Sequence, residues 1–304
     1  MSLAPIAFFA YKRPEHTRRS LESLSQNIGA KDSELFIYCD GAKGSEDQKA
    51  VELVRQVVRS KQWCRNIHII EQEKNLGLAN SVIKGVTEIC DRYGKVIVIE
   101  DDLVLSTYFL DYMNTALDLY ENESKVMQIS GYMFPLQIES LKIDTFFLPF
   151  TTSWGWATWH RAWKHFDKDM KDYEKLRSNN KERFKFNLNN SYPYFQMLEQ
   201  QISRKINSWA IRWYLSTFML DALTLYPKHS LVSNMGFDGT GTHCKKSSSL
   251  ETLIHEQKIL SMPTEIIVDY ESRDLLFNYL RKLNQPLSLS QRIKRKFIKL
   301  FKKI

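Results

Sequence analysis

The chain lacks several things, and each absence narrows its function. It has no CxxC pair: Cys39, Cys64, Cys90 and Cys244 stand far apart, which argues against a zinc site and fits reduced thiols in cytoplasm. No apolar run approaches the ~20 residues of a membrane-spanning helix, and no signal-peptide pattern is present. Acids are missing from residues 291–304, which hold Arg292, Lys294, Arg295, Lys296, Lys299, Lys302 and Lys303. Without those seven charges the net charge falls from +8 to +1. A nucleic-acid binder spreads its basicity over a folded surface. Here it belongs to a tail.

What is present is a chain of 304 residues, 43% hydrophobic and 12% aromatic. That excludes a disordered polymer and suits one large α/β domain or two smaller ones. The chain is organised around Lys95-Val-Ile-Val-Ile-Glu100-Asp101-Asp102-Leu103-Val104-Leu105. An apolar run without alternation reads as a strand buried on both faces. Its three acids then fall at the strand's carboxyl end, where open α/β sheets bind ligands. Carboxylates that close repel one another and favour a divalent cation. The plainer alternative is a polar strand end, with Asp102 capping the next helix.

Upstream, Ile6–Tyr11 and Leu35–Cys39 read as buried strands, and Ile67–Ile70 as a third. Between them, helical spacing runs through Leu21 and Leu24, then through Val51, Val54 and Val58, then through Val82, Val86 and Ile89. The β-α-β-α-β-α-β alternation predicts a parallel sheet with helices on both faces. Arg13 and Asp40 follow the first two strands, so they converge with the acidic triplet on one edge. Asp40 suits a ribose hydroxyl or base N–H, and Arg13 suits phosphate or base. Singly, each also reads as a turn or capping residue.

After Asp102 the texture changes. Residues 107–120 read as a helix, 125–132 as a strand-like segment and 164–208 as helices with an insertion. Ser153–Trp163 contains four tryptophans. Trp154 and Trp156 are expected near the site as a platform for a sugar ring, with Trp159 and Trp163 in the core at helical spacing. Residues 236–244 carry three glycines and two threonines around Asp238, the makings of a loop that closes over a diphosphate, with His243 as a metal or phosphate ligand. A plain surface loop is the alternative. In the tail, Ile293, Phe297, Leu300, Phe301 and Ile304 form an apolar stripe opposite the basic residues. That pattern predicts an interfacial helix on an anionic membrane, or a stripe docked on the body or a partner.

Taken in order, Ala10-Tyr-Lys-Arg13, Asp40, Ile99-Glu-Asp-Asp-Leu103 with the Tyr108–Tyr112 helix, Gly155-Trp156 with Trp163, and Pro227 with Ser233–Gly236 make a recognisable set. The chain resembles the GT-A glycosyltransferases over about residues 4–245, most closely the N-acetylglucosaminyltransferase I-like group and bacterial sugar transferases of polysaccharide and lipopolysaccharide synthesis. The resemblance implies a Rossmann-like, mostly parallel sheet in a domain over 1–245. Its nucleotide-sugar-binding half is 1–105 and its acceptor-side half 106–245. A helical extension at 246–287 and the basic amphipathic helix at 288–304 are expected to follow.

By that resemblance Asp102 is the direct ligand to Mn²⁺ (or Mg²⁺), Asp101 lies near the ribose and Glu100 near the transferred sugar. Arg13, Asp40 and Asn75 join them on the donor side. The expected partners are a nucleotide-sugar donor, a glycan or lipid-linked acceptor and an anionic membrane, with no nucleic acid. The expected place is the inner face of the cell membrane, attached peripherally. One departure stands out. The family's tryptophan-flanked acidic pair is replaced by Trp209-Ala210-Ile211-Arg212-Trp213, so the acceptor's general base must be sought among Asp238, Asp221 and Glu199. A nucleotidylyltransferase on the same sheet would carry a Gly-rich basic loop after strand one, which Tyr11-Lys12-Arg13-Pro14 is not. A non-catalytic membrane- or glycan-binding protein is the remaining alternative.

Overall fold

Four apolar runs become four adjacent parallel strands. They are β1 (Ile6–Ala10), β2 (Glu34–Cys39), β3 (Asn66–Glu71) and β4 (Lys95–Glu100), in the spatial order β3-β2-β1-β4. The computed structural model describes residues 3–136, 138, 142–236, 250 and 252–284. Every residue of β1 is buried, which is why its sequence shows no alternation. The crossovers are α1 (Pro14–Ser25), α2 (Ser45–Arg59) and α3 (Leu78–Tyr93). Strand order runs outward from β1 to β3 and then back to β4. Right-handed crossovers therefore put α1 and α2 on one face and α3 on the other. Pro14 opens α1, where its missing N–H costs nothing.

The second half extends the same sheet with mixed polarity. Its strands are β6 (Val126–Ser130), β7 (Thr145–Leu148), β8 (Trp156–Trp159) and β9 (Leu223–Pro227), and the full order is β3-β2-β1-β4-β8-β6-β9-β7. β8 runs antiparallel to β4 and β6, whereas β6 and β9 are parallel to each other. The carboxyl ends of β1, β2, β4, β6 and β9 thus share one edge with the amino end of β8. A two-stranded ribbon, β5 (Leu103–Leu105) with β10 (Val232–Asn234), stands beyond β4. Helices α4 (Phe109–Leu119), α5 (His160–Trp163), α6 (Tyr173–Ser178), α7 (Asn180–Phe186), α8 (Tyr194–Ile202) and α9 (Trp209–Phe218) complete this half.

The described residues form two hydrophobic clusters. One fills the sheet around β1–β4 and takes in Trp156, Trp159, Trp163, Trp209 and Trp213. The other joins Phe146, Phe186, Tyr214 and Tyr226 to Leu276, Phe277 and Leu280 of α10 (Tyr270–Asn284). Of the expected helical extension at 246–287, the described residues form one helix, from Tyr270, and that helix is packed into the body. Before it, Val268 bridges to Phe147, and Asp269 donates its N–H to the Phe147 carbonyl at 3.0 Å. Among the described residues no helix is long and apolar enough to cross a membrane. The tail, 288–304, lies outside the described residues.

Candidate active site

The turn after β4 brings the sequence's acids to the strand-one end. Arg13 caps α1 from the end of β1. Its Nη2 donates to Asp101 Oδ1 and lies 3.1 Å from Asp102 Oδ2, and the Tyr11 N–H donates weakly to Asp101 Oδ2 at 3.4 Å. Asp101 and Asp102 are both buried. Burial disfavours the Arg13 charge, but the two carboxylates outweigh it and hold the guanidinium above its ordinary range. Burial, reinforced by Asp102 and Asp101, raises Glu100 despite Arg13. Asp101 is also raised, chiefly by burial, with Arg13 opposing. One arginine therefore serves three crowded acids, which leaves negative charge in excess.

Two buried atoms in this knot have no hydrogen-bond partner: Arg13 Nη1 and Asp102 Oδ1. A buried donor and a buried acceptor each left open cost about 1–3 kcal/mol unless a ligand takes them. The open oxygen fits a divalent cation. Among the described residues, no three His, Cys, Asp or Glu side chains converge as a cation cage. Among the described residues, a cation at Asp102 would find no further pair of such side chains to complete its shell.

The approach to Asp102 is kept narrow. β10 pairs antiparallel with β5, and the Met235 N–H donates to the Asp102 carbonyl at 2.8 Å. A Cβ on Gly236 would lie 2.4 Å from Asp102 Oδ2, so only glycine lets the chain pass the carboxylate. Gly236 donates its own N–H to Asn234 Oδ1 at 2.6 Å.

Asp40 has a different job from the one expected. Its Oδ1 accepts the N–H groups of Gly41 (2.9 Å) and Leu76 (2.8 Å), and its Oδ2 accepts Gly77 N–H (2.9 Å) and Asn75 Nδ2 (3.0 Å). Four donors fill both oxygens, so Asp40 holds the loop before α3 instead of offering lone pairs to a ribose or base. Asn75 also donates to the Gly41 carbonyl at 2.8 Å, which commits its amide nitrogen to the same lacing. Sequence reasoning missed Asp47 in the first turn of α2. It accepts from Tyr11 Oη (2.6 Å) and Lys12 Nζ (2.7 Å), while the Lys43 N–H donates to the Tyr11 hydroxyl (3.0 Å). Hydrogen bonds from Lys12 and Tyr11 lower its pKa. The only sequence signal was an acid near a helix start, which cannot be told from one that complements the dipole.

The two expected platform tryptophans separate. Trp156 is fully buried, stacked on Trp209 at 4.9 Å and packed on Trp163 at 5.8 Å. It is core and presents no face to a sugar, which corrects its assignment. Trp154 is half-buried and meets Tyr132 edge-on at 4.4 Å. β4 and β8 pair Val96 with Thr158 and Val98 with Trp156. The pairing ends there, because Gly155 turns the chain at φ 59° just before β8.

Of the base candidates, Asp221 is exposed at a left-handed turn (φ 49°) before β9. That is the amino edge of the sheet, opposite the acidic knot, and it removes Asp221 from the site. Glu199 is exposed on α8, which packs chiefly on α7 and α9. Asp238 and His243 lie outside the described residues.

No family profile and no curated protein matches the chain. Among solved structures, it is similar to a proposed nucleotide-diphospho-sugar transferase from Desulfovibrio desulfuricans G20. That match has 11% identity and a TM-score of 0.34, and covers 59% of this chain and 77% of the other. It is also similar to S. aureus TarS, at 13% identity and a TM-score of 0.39, over 76% of this chain and 36% of TarS. At these distances the functional reading rests on the residues themselves.

Proposed function

We propose that the chain is a metal-dependent glycosyltransferase that moves a sugar from a nucleotide donor to a glycan or lipid-linked acceptor in bacterial cell-surface polysaccharide synthesis. The observation that carries this reading is the acidic turn. A free guanidinium N–H and a free carboxylate oxygen sit in one knot, at the sheet edge where open α/β folds take nucleotides. Arg13 Nη1 is the donor for the nucleoside diphosphate and Asp102 Oδ1 the protein's oxygen for Mn²⁺ or Mg²⁺. When bound, the cation neutralises charge on the departing diphosphate. Glu100 is assigned to the transferred sugar and half-buried Trp154 to the acceptor side, while Asp101 keeps Arg13 in place.

The acceptor hydroxyl needs a base within hydrogen-bond reach. Asp221 stands at the opposite edge of the sheet and Glu199 is exposed on α8, and Asp238 is the candidate we favour. It follows Gly236 by two residues in the sequence. The basic segment 288–304 supports attachment to an anionic lipid surface. Its deletion is expected to abolish binding to anionic vesicles, and survival of that binding overturns the attachment.

The test uses a panel of nucleotide sugars with and without Mn²⁺, read by thermal shift and slow donor hydrolysis. Metal-dependent hydrolysis of one donor, lost in Asp102→Ala, supports the transferase. Stabilisation by no nucleotide in either condition overturns it, and pyrophosphate release from a nucleoside triphosphate with a sugar phosphate points to a nucleotidylyltransferase instead.

A further inference from the structure

The segment between β10 and α10 includes a strap, residues 252–269, with two unlike sides. It is pinned along its length. Ser106 Oγ donates to the His255 carbonyl at 2.7 Å, Asp144 Oδ2 accepts the N–H groups of Leu260 and Ser261 at 3.1 and 2.9 Å, and Tyr120 Oη donates to the Pro263 carbonyl at 2.7 Å. Ile259, Met262, Ile266 and Val268 pack against the sheet cluster. Their neighbours do the opposite. Leu260 is 84% exposed, and Ile267 and, just past the strap, Tyr270 are each 63% exposed. Leu119, exposed at the end of α4, stands beside this stretch: the ring of its neighbour Tyr120 packs on Phe147 at 5.3 Å, and Phe147 bridges to Val268.

A backbone held that firmly is not fraying. One exposed apolar residue needs no explanation, but four around one stretch mark a seat. The charge around it selects the occupant. Residues 252–274 carry Glu256, Glu265, Asp269, Glu271 and Asp274 against Lys258 and Arg273. Both bases are already paired, with Asp111 and Asp274. Glu121 and Glu123 are exposed just beyond Leu119. Such a border repels anionic lipid and attracts a segment that is basic and apolar at once.

This chain carries such a segment. Residues 292–304 hold seven bases and no acid, with Ile293, Phe297, Leu300, Phe301 and Ile304 at helical spacing. The reach is sufficient. α10 has 15 residues, so it is about 22 Å long. Its first residue, Tyr270, belongs to the seat, and its last, Asn284, is tied to the Ser191 carbonyl at 3.0 Å. Ile293 follows Asn284 by nine residues, which span up to ~30 Å when extended. The tail can therefore return along α10 to the strap.

We propose that the strap is the seat of this chain's own tail. Phe297, Phe301 and their apolar neighbours cover Leu260, Ile267 and Tyr270, and the lysines and arginines meet the acids around them. The seat stands without the transferase reading; its consequence for attachment rests on the lipid binding proposed above. One apolar stripe cannot lie on the strap and on lipid together, so the two compete. The protein meets a membrane with its tail partly withheld.

The experiment uses the full chain, wild type beside two double variants: Leu260→Gln with Ile267→Gln on the seat, and Phe297→Ser with Phe301→Ser on the tail. Amide hydrogen exchange of residues 260–268 is read at two protein concentrations. Affinity for vesicles of phosphatidylcholine and phosphatidylserine in equal parts is read by co-sedimentation. A tail seated in about nine molecules of ten slows exchange of the strap about tenfold relative to the tail variant. It also weakens vesicle binding about tenfold relative to the seat variant, whose tail is intact and free. Raised salt should shrink the protection. Equal exchange in wild type and tail variant overturns the proposal. So does protection that grows with protein concentration, which gives the seat to a second copy's tail. Where wild type binds vesicles, a seat variant that binds them no tighter overturns it as well, as a strap that touches lipid itself would give. Tail-dependent protection in a protein that binds no vesicle keeps the seat and removes the lipid attachment.

Discussion

Met235 donates its backbone N–H to the carbonyl of Asp102 at 2.8 Å, so the chain entering Gly236 is fastened to the acidic turn. Gly236→Ala places a methyl 2.4 Å from Asp102 Oδ2. The neighbouring ribbon is anchored by its own pairing, so the carboxylate must move. We expect overpacking to cost about 1–3 kcal/mol of stability, with a larger loss of donor hydrolysis than of folded protein. Denaturant unfolding beside a hydrolysis assay checks it; unchanged hydrolysis would remove the narrow passage from the site.

Arg13 is the counter-charge that lets three acids share one strand end. Arg13→Gln leaves Asp101 and Asp102 buried without it, and breaking a buried pair costs about 3–5 kcal/mol. Because Arg13 retains partial exposure (19% of its side chain), the lower half of that range is expected. Divalent cation should recover part of the loss. Melting temperatures of wild type and variant with and without Mn²⁺ decide it, and a variant as stable as wild type would make the pair a bystander.

Asp238→Asn tests the remaining base. Transfer to acceptor is expected to fall by about 10²–10⁴, with donor affinity unchanged in titration calorimetry. A full rate of transfer would return the role to a residue not yet considered.

The thiols give a pH dependence with a definite sign. Cys39 and Cys64 are pushed up to about 12, chiefly by burial, and Cys90 is raised by burial and Asp91. Their folded pKa values lie above the unfolded value of about 8.5. The stability from keeping them protonated is thus complete below about pH 8.5 and is lost as pH rises toward 12. In a Cys244→Ser protein, no thiol should react with a disulfide reagent at pH 8 until denaturant is added. Rapid labelling of the native form would refute the burial.

Much of the donor half was legible, because strands buried on both faces write themselves as unbroken apolar runs such as Val96–Ile99. The acidic triplet at the end of β4 was legible for the same reason. Trp156 was not. Trp156-Ala-Thr-Trp159 is too short for period 2 to be distinguished from helical spacing, and only pairing with Val98 on one side and Ser130 on the other makes it core. Asp40 was misread because a strand-end carboxylate can turn to a ligand or to its own loops. The deciding partners, 75–77, lie more than thirty residues along the chain. Asp221 was misplaced because polarity in the sheet's second half depends on which strands pair, a long-range fact that local pattern does not carry.

The ribbon of β5 and β10 joins residues 103–105 to 232–234, and this has a consequence for synthesis. When the acids of β4 leave the ribosome, the segment that braces them has yet to be made. The parallel half can collapse early on contacts closer in sequence, while its chemically active tip waits more than a hundred residues for its brace. A fragment ending before Val232 should therefore show the sheet's secondary structure by circular dichroism yet fail to bind donor. On the proposed function, a nascent chain would gain metal and nucleotide affinity only once Val232–Asn234 have been made.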